Sequence, residues 1–329
     1  MGPSTPPLVR FLGRRLLHGL VVLVCIAVLD FVLLHMAPGD AAEILAGESG
    51  GSDATYVAQL RAQFGLDQPL YKQLGHYLLR LAQFDLGWSG RNNMSVAQLL
   101  MSRLPATLLL MVAAITLAVV AGAALGTLAA RRVNSPTDNA IAVFSLLSYA
   151  TPLFWLGLML IVLFSVTLRW LPTGGMESVG AGLTGWSRII DVAAHAVLPT
   201  ITLGLFYMAV YTRLVRASVL EVKEMDYVRM ARAKGLSPAR VTLRHVFRNA
   251  MLPMVTMLGV QVGSLLGGAV VVEMVFSWPG LGRLAFDAVL ARDLNLLLGI
   301  VLASAVLVIL INIAVDLLYA RLDPRIEVR

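Results

Sequence analysis

The amino-acid sequence predicts an all-α integral membrane protein with about six transmembrane helices. Of the 329 residues, 58% are hydrophobic and 14% are charged, whereas soluble domains carry about 25% charged residues. The apolar residues gather in runs long enough to cross a bilayer, and the basic residues gather at the ends of those runs. The net charge of +7 is therefore attributed to membrane topology rather than to nucleic-acid binding.

The first apolar run predicts a retained membrane anchor, which we place at about Leu12–Met36. Its length of about 20 apolar residues exceeds that of the apolar region of a typical cleaved signal peptide. The apolar run itself extends from Leu16 to about Ala37, and three basic residues precede it, namely Arg10, Arg14 and Arg15. Asp30 and His35 lie towards its outer end. Asp30 is a functional candidate because a charge within a span is costly, or it lies near enough to the interface to meet water or a neighbouring helix.

A long outer segment follows the first span and reaches to about Met101. The spacing of its apolar residues predicts two amphipathic helices. The first has its apolar face at Val57, Leu60 and Phe64. The second opens at Asp67 and Pro69 and has its apolar face at Tyr71, Leu74, Leu78 and Leu81. We expect a turn at residues 85–88 after the second helix.

The second and third spans are predicted at Pro105–Ala130 and Ile141–Leu168. Gly122 and Gly126 in the second span have the GxxxG spacing that lets another helix approach closely. Pro152 should kink the third span, either as part of a moving gate or as a kink that membrane helices simply tolerate.

The last three spans are predicted at Leu198–Val219, Pro253–Phe276 and Leu296–Tyr319. Three glycines form a tandem GxxxG ridge on the fifth span, at Gly259, Gly263 and Gly267. This ridge suits either an interface with a partner subunit or the path of a substrate. Glu273 lies near the outer end of the fifth span. We expect Asp316 in the last span to pair with Arg321.

The longest polar interruption between apolar runs is the stretch Glu221–Pro253. Its first part predicts a short helix at Asp226–Leu236, with Asp226 as N-cap and Gly235 at the C′ position. A second helix should begin at Ser237 and Pro238. We expect this helix to carry a basic face, formed by Arg240, Arg244 and Arg248, beside an apolar face, formed by Leu243 and Phe247.

This stretch carries a resemblance to a known family. The string DYVRMARAKGLSPARVTLRHVFRNAMLP resembles the EAA-loop region of bacterial ABC-importer permeases, in the dipeptide, oligopeptide and nickel branch. Other strings are similar to the same family, namely FGLDQPLYKQ…FDLGWS, HAVLPTITLGL…TRLVRASVLEV, VVVEMVFSWPGLGRL and VDLLYARLDPRI. Arg229 and Met230 depart from the general pattern, which has Glu and Ala there, while Ala231 keeps its Ala. The alternative is a basic loop that merely obeys the positive-inside rule.

The resemblance implies a type-I ABC importer (MetI-like) permease fold with an extra N-terminal helix and an extracytoplasmic helical segment. It implies a second homologous permease subunit, two cytoplasmic ATPase subunits and an extracytoplasmic solute-binding protein as partners, beside membrane lipid. The implied substrates are dipeptides or oligopeptides, with nickel chelates, glutathione or another small solute as alternatives. The two outer helices would cover the span ends or meet the delivered carrier.

The resemblance also implies that Tyr227–Leu236 is a coupling helix, which sits in a cleft of the ATPase. ATP-driven closure would move it as a lever, and the fourth and fifth spans would transmit the motion. Arg229, Arg232 and Lys234 would offer cationic contacts, and Tyr227, Met230 and Ala231 would offer an apolar face. The implied coupling residues are Asp226, Tyr227, Arg229, Met230, Ala231, Arg232, Ala233, Lys234, Gly235 and Leu236.

The predicted organisation has four parts in a bacterial inner membrane. They are an N-terminus with the first helix (1–37), an extracytoplasmic helical segment (38–101), a five-helix permease core (102–320) with the coupling loop 221–252, and a tail (321–329). An even number of spans puts both termini on one side, the cytoplasm. The basic residues that fall on that side agree with this topology, and they include Arg131, Arg132, Arg325 and Arg329.

Several other functions are disfavoured by the sequence. The chain has no phosphate-binding GxxxxGK[ST] loop, so we expect ATP hydrolysis only in partner subunits. No cofactor motif and no metal-ligand spacing is present. An ion-coupled secondary transporter would favour paired carboxylates near the midplane, whereas Asp30, Glu273 and Asp316 lie towards span ends. An intramembrane enzyme would need a facing nucleophile and base, and nothing brings His18 and Ser148 together.

Overall fold

The computed structural model describes residues 7–36, 68–237 and 240–322, and these residues are mostly helical. Eleven α-helices are found in the described ranges: α1 Pro7–Met36, α2 Leu70–Ala82, α3 Val96–Arg131, α4 Pro136–Ala150, α5 Leu153–Leu160, α6 Gly185–Lys223, α7 Asp226–Ala233, α8 Arg248–Ala250, α9 Leu252–Val275, α10 Leu281–Leu290 and α11 Leu294–Leu322. Two π-helical stretches, π1 Ile161–Thr167 and π2 Val241–Phe247, follow α5 and precede α8. The predicted outer helix around Leu60 lies outside the described residues.

Helices long and apolar enough to cross a membrane account for most of the described chain. Four of them are unbroken, namely α1, α3, α6 and α11. Two bent pairs pass the same test: α4 with the α5–π1 helix, and Arg244–Gln261 with Gly263–Val275. Counting each bent pair as one span gives the six spans that the sequence predicts.

The third predicted span is broken at Pro152 rather than kinked. The helices α4 and α5–π1 meet at 105°, and Thr151 between them is extended, with φ −75° and ψ 127°. A residue before proline avoids the α-helical region, and proline donates no backbone hydrogen bond. These two local effects end α4, so the kink expected at Pro152 is a break between two helices.

Three further features differ from the prediction. Helix α6 begins at Gly185, thirteen residues before Leu198, because its first turns carry polar residues that conceal the helix in a search for apolar runs. Helix α10 follows the turn at residues 277–280 and was not predicted from the sequence. A two-stranded antiparallel hairpin also occurs, in which Trp88 pairs with Ser95 and Ser89 pairs with Met94.

The described chain divides into two compact units. The first contains the described residues of 1–101 and 287–309. In it the second predicted amphipathic helix is confirmed as α2, which packs on α1 through the rings of Phe31 and Tyr77, whose centroids lie 5.9 Å apart. The Ser89 hydroxyl donates to Asp293, so the hairpin is joined to the segment before α11.

The second unit comprises residues 102–286 and the described residues from 310 onwards. Its core is centred on α6, which packs against α3, α4, α5 and α9. Fully buried residues along α6 include Leu203, Tyr211, Val215 and Val219. This helix has 39 residues, a length of about 58 Å at 1.5 Å per residue, so it extends beyond a hydrocarbon layer of about 30 Å.

Candidate functional site

The candidate functional site is helix α7, which lies between α6 and the π2–α9 region. It begins at Asp226, and Met225 takes the N-cap position without a side-chain hydrogen bond. The prediction of Asp226 as N-cap was therefore wrong by one residue. Asp226 lies in the first turn, where its negative charge is favourable beside the unpaired backbone N–H groups.

The end of α7 has the geometry of a Schellman motif. Gly235 has φ +76°, and its N–H donates to the carbonyl of Arg232 at 2.9 Å, while the N–H of Leu236 donates to the carbonyl of Ala231 at 3.4 Å. The expected C′ role of Gly235 is confirmed. The helix ends at Ala233, three residues before the predicted end at Leu236.

The inner face of α7 is formed by Val228 and Ala231. Their exposed fractions are 0% and 6%, and both join the buried cluster that contains Val222, Val241 and Val246. Residues three apart lie on one side of a helix, so Ala231 follows Val228 into the core. The expectation that Ala231 offers an apolar surface to a partner was wrong, since its own chain covers it.

The outer face of α7 is exposed and mixes apolar and cationic side chains. Met230 is 58% exposed and Tyr227 is 38% exposed. The other exposed members are Asp226, Arg229, Arg232, Ala233 and Lys234. Arg229 contacts Glu224 at 3.1 Å, but both side chains are largely exposed, and such pairs contribute about 0–1 kcal/mol. The face is therefore free to change its contacts.

Helix α7 is attached to the following segment through Tyr227. The amide of Asn249 donates to the Tyr227 hydroxyl at 2.7 Å and to the carbonyl of His245 at 3.1 Å. The segment between them is the π-helix π2, in which Val241 and Val246, five residues apart, are both buried. The predicted second helix thus exists with a wider turn, while Pro238 at its expected start lies outside the described residues.

The basic residues of that second helix are all exposed, namely Arg240, Arg244 and Arg248. The π-helical hydrogen bonds span five residues, so one turn of π2 holds more residues than a turn of an α-helix. That the three arginines share one face stays a prediction. The predicted apolar neighbour Phe247 is half-buried, and the side chain of Leu243 lies outside the described part.

Two polar contacts connect the C-terminal end of α6, which leads into α7, to neighbouring helices. Arg216 donates from Nε and Nη2 to the two carboxylate oxygens of Asp138, each at 2.8 Å. Asp138 lies in the first turn of α4, whose N-cap Ser135 accepts from the Asp138 N–H. The Lys223 ammonium donates to the carbonyl of Ala130 near the end of α3. Sequence reasoning missed both contacts because each joins residues far apart in the chain.

The glycines of α3 lie directly against α6. A Cβ atom at Gly122 would lie 2.6 Å from Cβ of Tyr211, and one at Gly126 would lie 2.6 Å from the carbonyl oxygen of Thr212. Both distances are shorter than real Cβ contacts, so only glycine permits this approach. The two helices therefore pack with their backbones close together.

The glycine ridge of α9 is largely open. A Cβ at Gly259 would make an ordinary contact with Val315 at 3.4 Å, and a Cβ at Gly263 or Gly267 would meet no described atom within 4 Å. The adjacent Gly268 is the one that faces the core, 3.0 Å from Leu203. Within the described part of the chain, Gly263 and Gly267 thus leave a smooth uncovered strip.

At the other end of α9, Glu273 is 0% exposed and forms a hydrogen-bonded centre. Its carboxylate accepts from the Thr107 hydroxyl at 2.7 Å, the Gly282 N–H at 2.7 Å and the Arg283 N–H at 3.0 Å. The two N–H groups belong to the first turn of α10, where a carboxylate is favourable. The sequence placed Glu273 near a span end but gave no sign of these partners.

The turn at residues 277–280, which lies next to Glu273, is also held by hydrogen bonds to α3. The indole N–H of the buried Trp278 donates to the carbonyl of Ala106 at 2.9 Å, and the Leu281 N–H donates to the Thr107 hydroxyl at 2.8 Å. A Cβ at Gly280 would overlap the Glu273 carboxylate. This centre therefore locks α3, α9 and α10 together.

The remaining polar candidates have mixed outcomes. Asp30 is buried, and one of its carboxylate oxygens has no hydrogen-bond partner among the described residues. Burial, together with the charge of Asp30, raises the pKa of Tyr77 on the neighbouring helix α2 to about 12. The Ser148 hydroxyl donates to the carbonyl of Phe144 one turn earlier. The side chain of Arg321 lies outside the described part, so its pairing with Asp316 stays a prediction.

Comparison with known proteins places this geometry in a family. Residues 122–328 match the family described as "Binding-protein-dependent transport system inner membrane component". Residues 8–111 match "Binding-prot-dependent transport system membrane comp, N-term". The fold is shared with the MetNI methionine ABC transporter in an inward-facing conformation, with a TM-score of 0.55 at 18% identity, covering 69% of this chain and 97% of that chain.

Relatives match almost the whole sequence. The dipeptide transport system permease protein DppB of Escherichia coli (strain K12) is 43% identical over 339 residues, covering 97% of this chain and 99% of the relative. The glutathione transport system permease protein GsiC of Escherichia coli O6:H1 is 42% identical over 320 residues, with the same coverage. The chain is thus a multi-pass inner membrane protein that belongs to the family of binding-protein-dependent transport system inner membrane components.

Proposed function

We propose that this chain is the transmembrane permease subunit of an ATP-driven importer of dipeptides or oligopeptides. It forms half of the translocation pathway, and a second homologous permease forms the other half. Two cytoplasmic ATPase subunits and an extracytoplasmic solute-binding protein complete the assembly. The identity of 43% to a dipeptide permease over nearly the full length supports the substrate class.

One observation carries the coupling role, namely the two-sided character of α7. Its inner residues Val228 and Ala231 are buried in the core, while Met230 and Tyr227 are exposed beside several cations. A buried inner face makes the helix move with the core, and exposed aromatic, methionine and arginine side chains are typical of protein interfaces. We assign the outer face, without Ala231, to the cleft of an ATPase subunit.

Contacts on both sides of α7 support a route by which its motion would reach the spans. On one side α7 follows α6 directly, and α6 is tied to α3 and α4 by Lys223 and Arg216. On the other side, Tyr227 and Asn249 connect α7 to the segment that leads into α9. A displacement of α7 by the ATPase would thus act on both helices, and the pathway would alternate between outward-facing and inward-facing states.

This function requires α7 and both termini to lie in the cytoplasm, and it places the hairpin around Asn92 outside. The basic residues near the ends of α1, α3 and α11 support that orientation. In a Cys25→Ser background without the ATPase subunits, Met230→Cys should react with an impermeant maleimide only in inside-out vesicles, and Asn92→Cys only in intact spheroplasts. Labelling of Met230→Cys from outside would contradict the orientation.

The coupling role is tested with Met230→Asp and its matched control Met230→Leu in the complete importer. A carboxylate buried against the ATPase is costly, so Met230→Asp should lower ATP-dependent dipeptide uptake and uptake-linked ATP hydrolysis at least about tenfold. Met230→Leu keeps the apolar contact and should stay near wild-type rates. The amount of chain in the membrane should be unchanged in both variants.

Other results of this assay would change the assignment. Wild-type uptake by Met230→Asp in assembled complexes would contradict the coupling role of α7. Uptake by proteoliposomes that lack any ATPase would indicate an ion-coupled transporter. Uptake of nickel chelates or glutathione in place of dipeptides would keep the importer class and change its substrate.

A further inference from the structure

A row of aromatic rings capped by a guanidinium lies between α4 and α6. Cζ of Arg213 is 4.9 Å from the ring centroid of Tyr149. Tyr149 stacks on Phe206, with centroids 4.9 Å apart and planes at 19°. The rings of Phe206 and Tyr207 are nearly perpendicular, at 81°, with centroids 5.2 Å apart. Phe206 and Arg213 are seven residues apart on α6 and thus share one face of the helix.

The position of Arg213 along the helices is unusual for a cation. Arg216, on the same helix, pairs with Asp138 in the first turn of α4. Arg213 instead lies over Tyr149, eleven residues further along α4, which is about 16 Å at 1.5 Å per residue. Both α4 and α6 belong to candidate membrane spans. The guanidinium is therefore directed into the span, away from the end at which Arg216 is neutralised.

Arg213 is exposed and Tyr149 is 43% exposed on this flank. Among the described residues, no carboxylate forms an ion pair with Arg213. A cation within a span is costly against lipid, and it is normally found facing a water-filled cavity or an anionic partner. The contact with the Tyr149 ring offsets only a part of that cost. This flank therefore fits an aqueous path better than a lipid-facing surface.

We propose that Arg213 lines the translocation path and binds the C-terminal carboxylate of the passing peptide. The proposal rests on the proposed function. A guanidinium donates two parallel hydrogen bonds to a carboxylate, and its contact with the ring holds it in place for that interaction. The exposed part of the Tyr149 ring supplies an apolar surface beside it for peptide side chains. The open charge and the adjacent rings together match a short peptide.

The first test asks whether position 213 meets water. The complete importer carries Cys25→Ser with either Arg213→Cys or Leu146→Cys, and it is treated in nanodiscs with an impermeant anionic methanethiosulfonate. Leu146 is a matched control because it is an exposed apolar residue of α4. Arg213→Cys should react at least about tenfold faster, since thiols in lipid do not ionise. Equal, slow labelling of the two positions would overturn the proposal.

The second test measures uptake with a saturated binding protein. Arg213→Gln should lower uptake of a free dipeptide about tenfold, as expected for the loss of a charged hydrogen bond, and Arg213→Lys should restore part of it. Arg188→Gln is the control, because Arg188 is an exposed arginine of the same helix. The wild-type importer should take up the amide form of the dipeptide slowly. The Arg213→Gln importer should take up this amide at the same slow rate, because the two changes remove the same interaction.

Each result decides between defined alternatives. Wild-type uptake by Arg213→Gln, or a further loss with the amide, would contradict carboxylate recognition. Loss of the second permease on co-purification of Arg213→Gln would instead assign Arg213 to a subunit interface. If the wild type takes up no dipeptide, the proposed function fails, while the labelling test still decides whether Arg213 faces water.

Discussion

The two ends of α9 show opposite designs within one unit of the fold. At one end, the buried Glu273 accepts three hydrogen bonds that join it to α3 and α10. At the other end, α9 leads back through π2 to α7, whose outer face is exposed and whose ion pair with Glu224 is solvent-accessible. One end is held by contacts within the chain, and the other carries exposed side chains.

This difference indicates which part of the permease moves and which part resists. Buried, hydrogen-bonded polar groups are costly to separate, because each group left unpaired loses its water as well as its partner. Exposed pairs exchange partners at little cost. We therefore expect the Glu273 centre to act as a fixed support and α7 to act as the surface that responds to the ATPase.

The largest expected effect is that of Glu273→Ala. It leaves the Thr107 hydroxyl and two N–H groups of α10 without an acceptor, so the free energy of unfolding should fall by about 3–5 kcal/mol. Met230→Ala on the exposed face of α7 should change it by less than about 0.5 kcal/mol. Thermal or denaturant unfolding of the detergent-solubilised chain measures both. Similar values for the two variants would remove the contrast between the two ends.

A smaller effect is expected from glycines in closed and open positions. Gly126→Ala places a methyl group against the backbone of α6, which should cost about 1–3 kcal/mol of unfolding free energy. Gly263→Ala meets no described atom, so the single chain should lose no stability. If the strip of Gly263 and Gly267 is a subunit interface, Gly263→Ala should lower co-purification of the second permease. A destabilised single chain in the Gly263→Ala variant would contradict the open strip.

The smallest effect concerns Asp85, a carboxylate with two donors that remains half-exposed. The side chain of Arg80 and the backbone N–H of Gly87 lower the pKa of Asp85. The lowered pKa stabilises the fold at pH values above the pKa of this carboxyl in the unfolded chain, about 3.9. This stabilisation is lost as the pH falls through the pKa of the carboxyl in the folded chain. Asp85→Asn should therefore reduce stability slightly at pH 7, and this reduction should shrink as the pH falls below about 3.9. A loss of stability as large as that of Glu273→Ala would show that burial does not determine how much each carboxylate stabilises the fold.

The sequence predicted the features that depend on local pattern. The spans follow from apolar runs, α2 follows from its apolar face, and the end of α7 follows from Gly235, whose positive φ suits the C′ position. A short helix was predicted at the position of α7 because this polar stretch interrupts the apolar pattern. Its inward residue Ala231 was assigned to the wrong face because the sequence does not show which side meets the core.

The features that the sequence did not predict depend on distant partners. Glu273 is 166 residues from Thr107, and Arg216 is 78 residues from Asp138. No spacing rule connects such positions, so the hydrogen-bonded centre and the ties of α6 appear only in three dimensions. The break at Pro152 was foreseen as a kink, but its angle depends on how α5 packs on α6 and α9.

The central claim is that an ATPase subunit covers the outer face of α7. The most direct measurement is the rate at which Met230→Cys, in a Cys25→Ser background, reacts with an impermeant maleimide in solubilised permease with and without its ATPase subunits. We predict that the ATPase subunits slow this reaction at least about tenfold, while Asn92→Cys on the hairpin reacts equally in both samples. Equal rates for Met230→Cys in the two samples would contradict the claim.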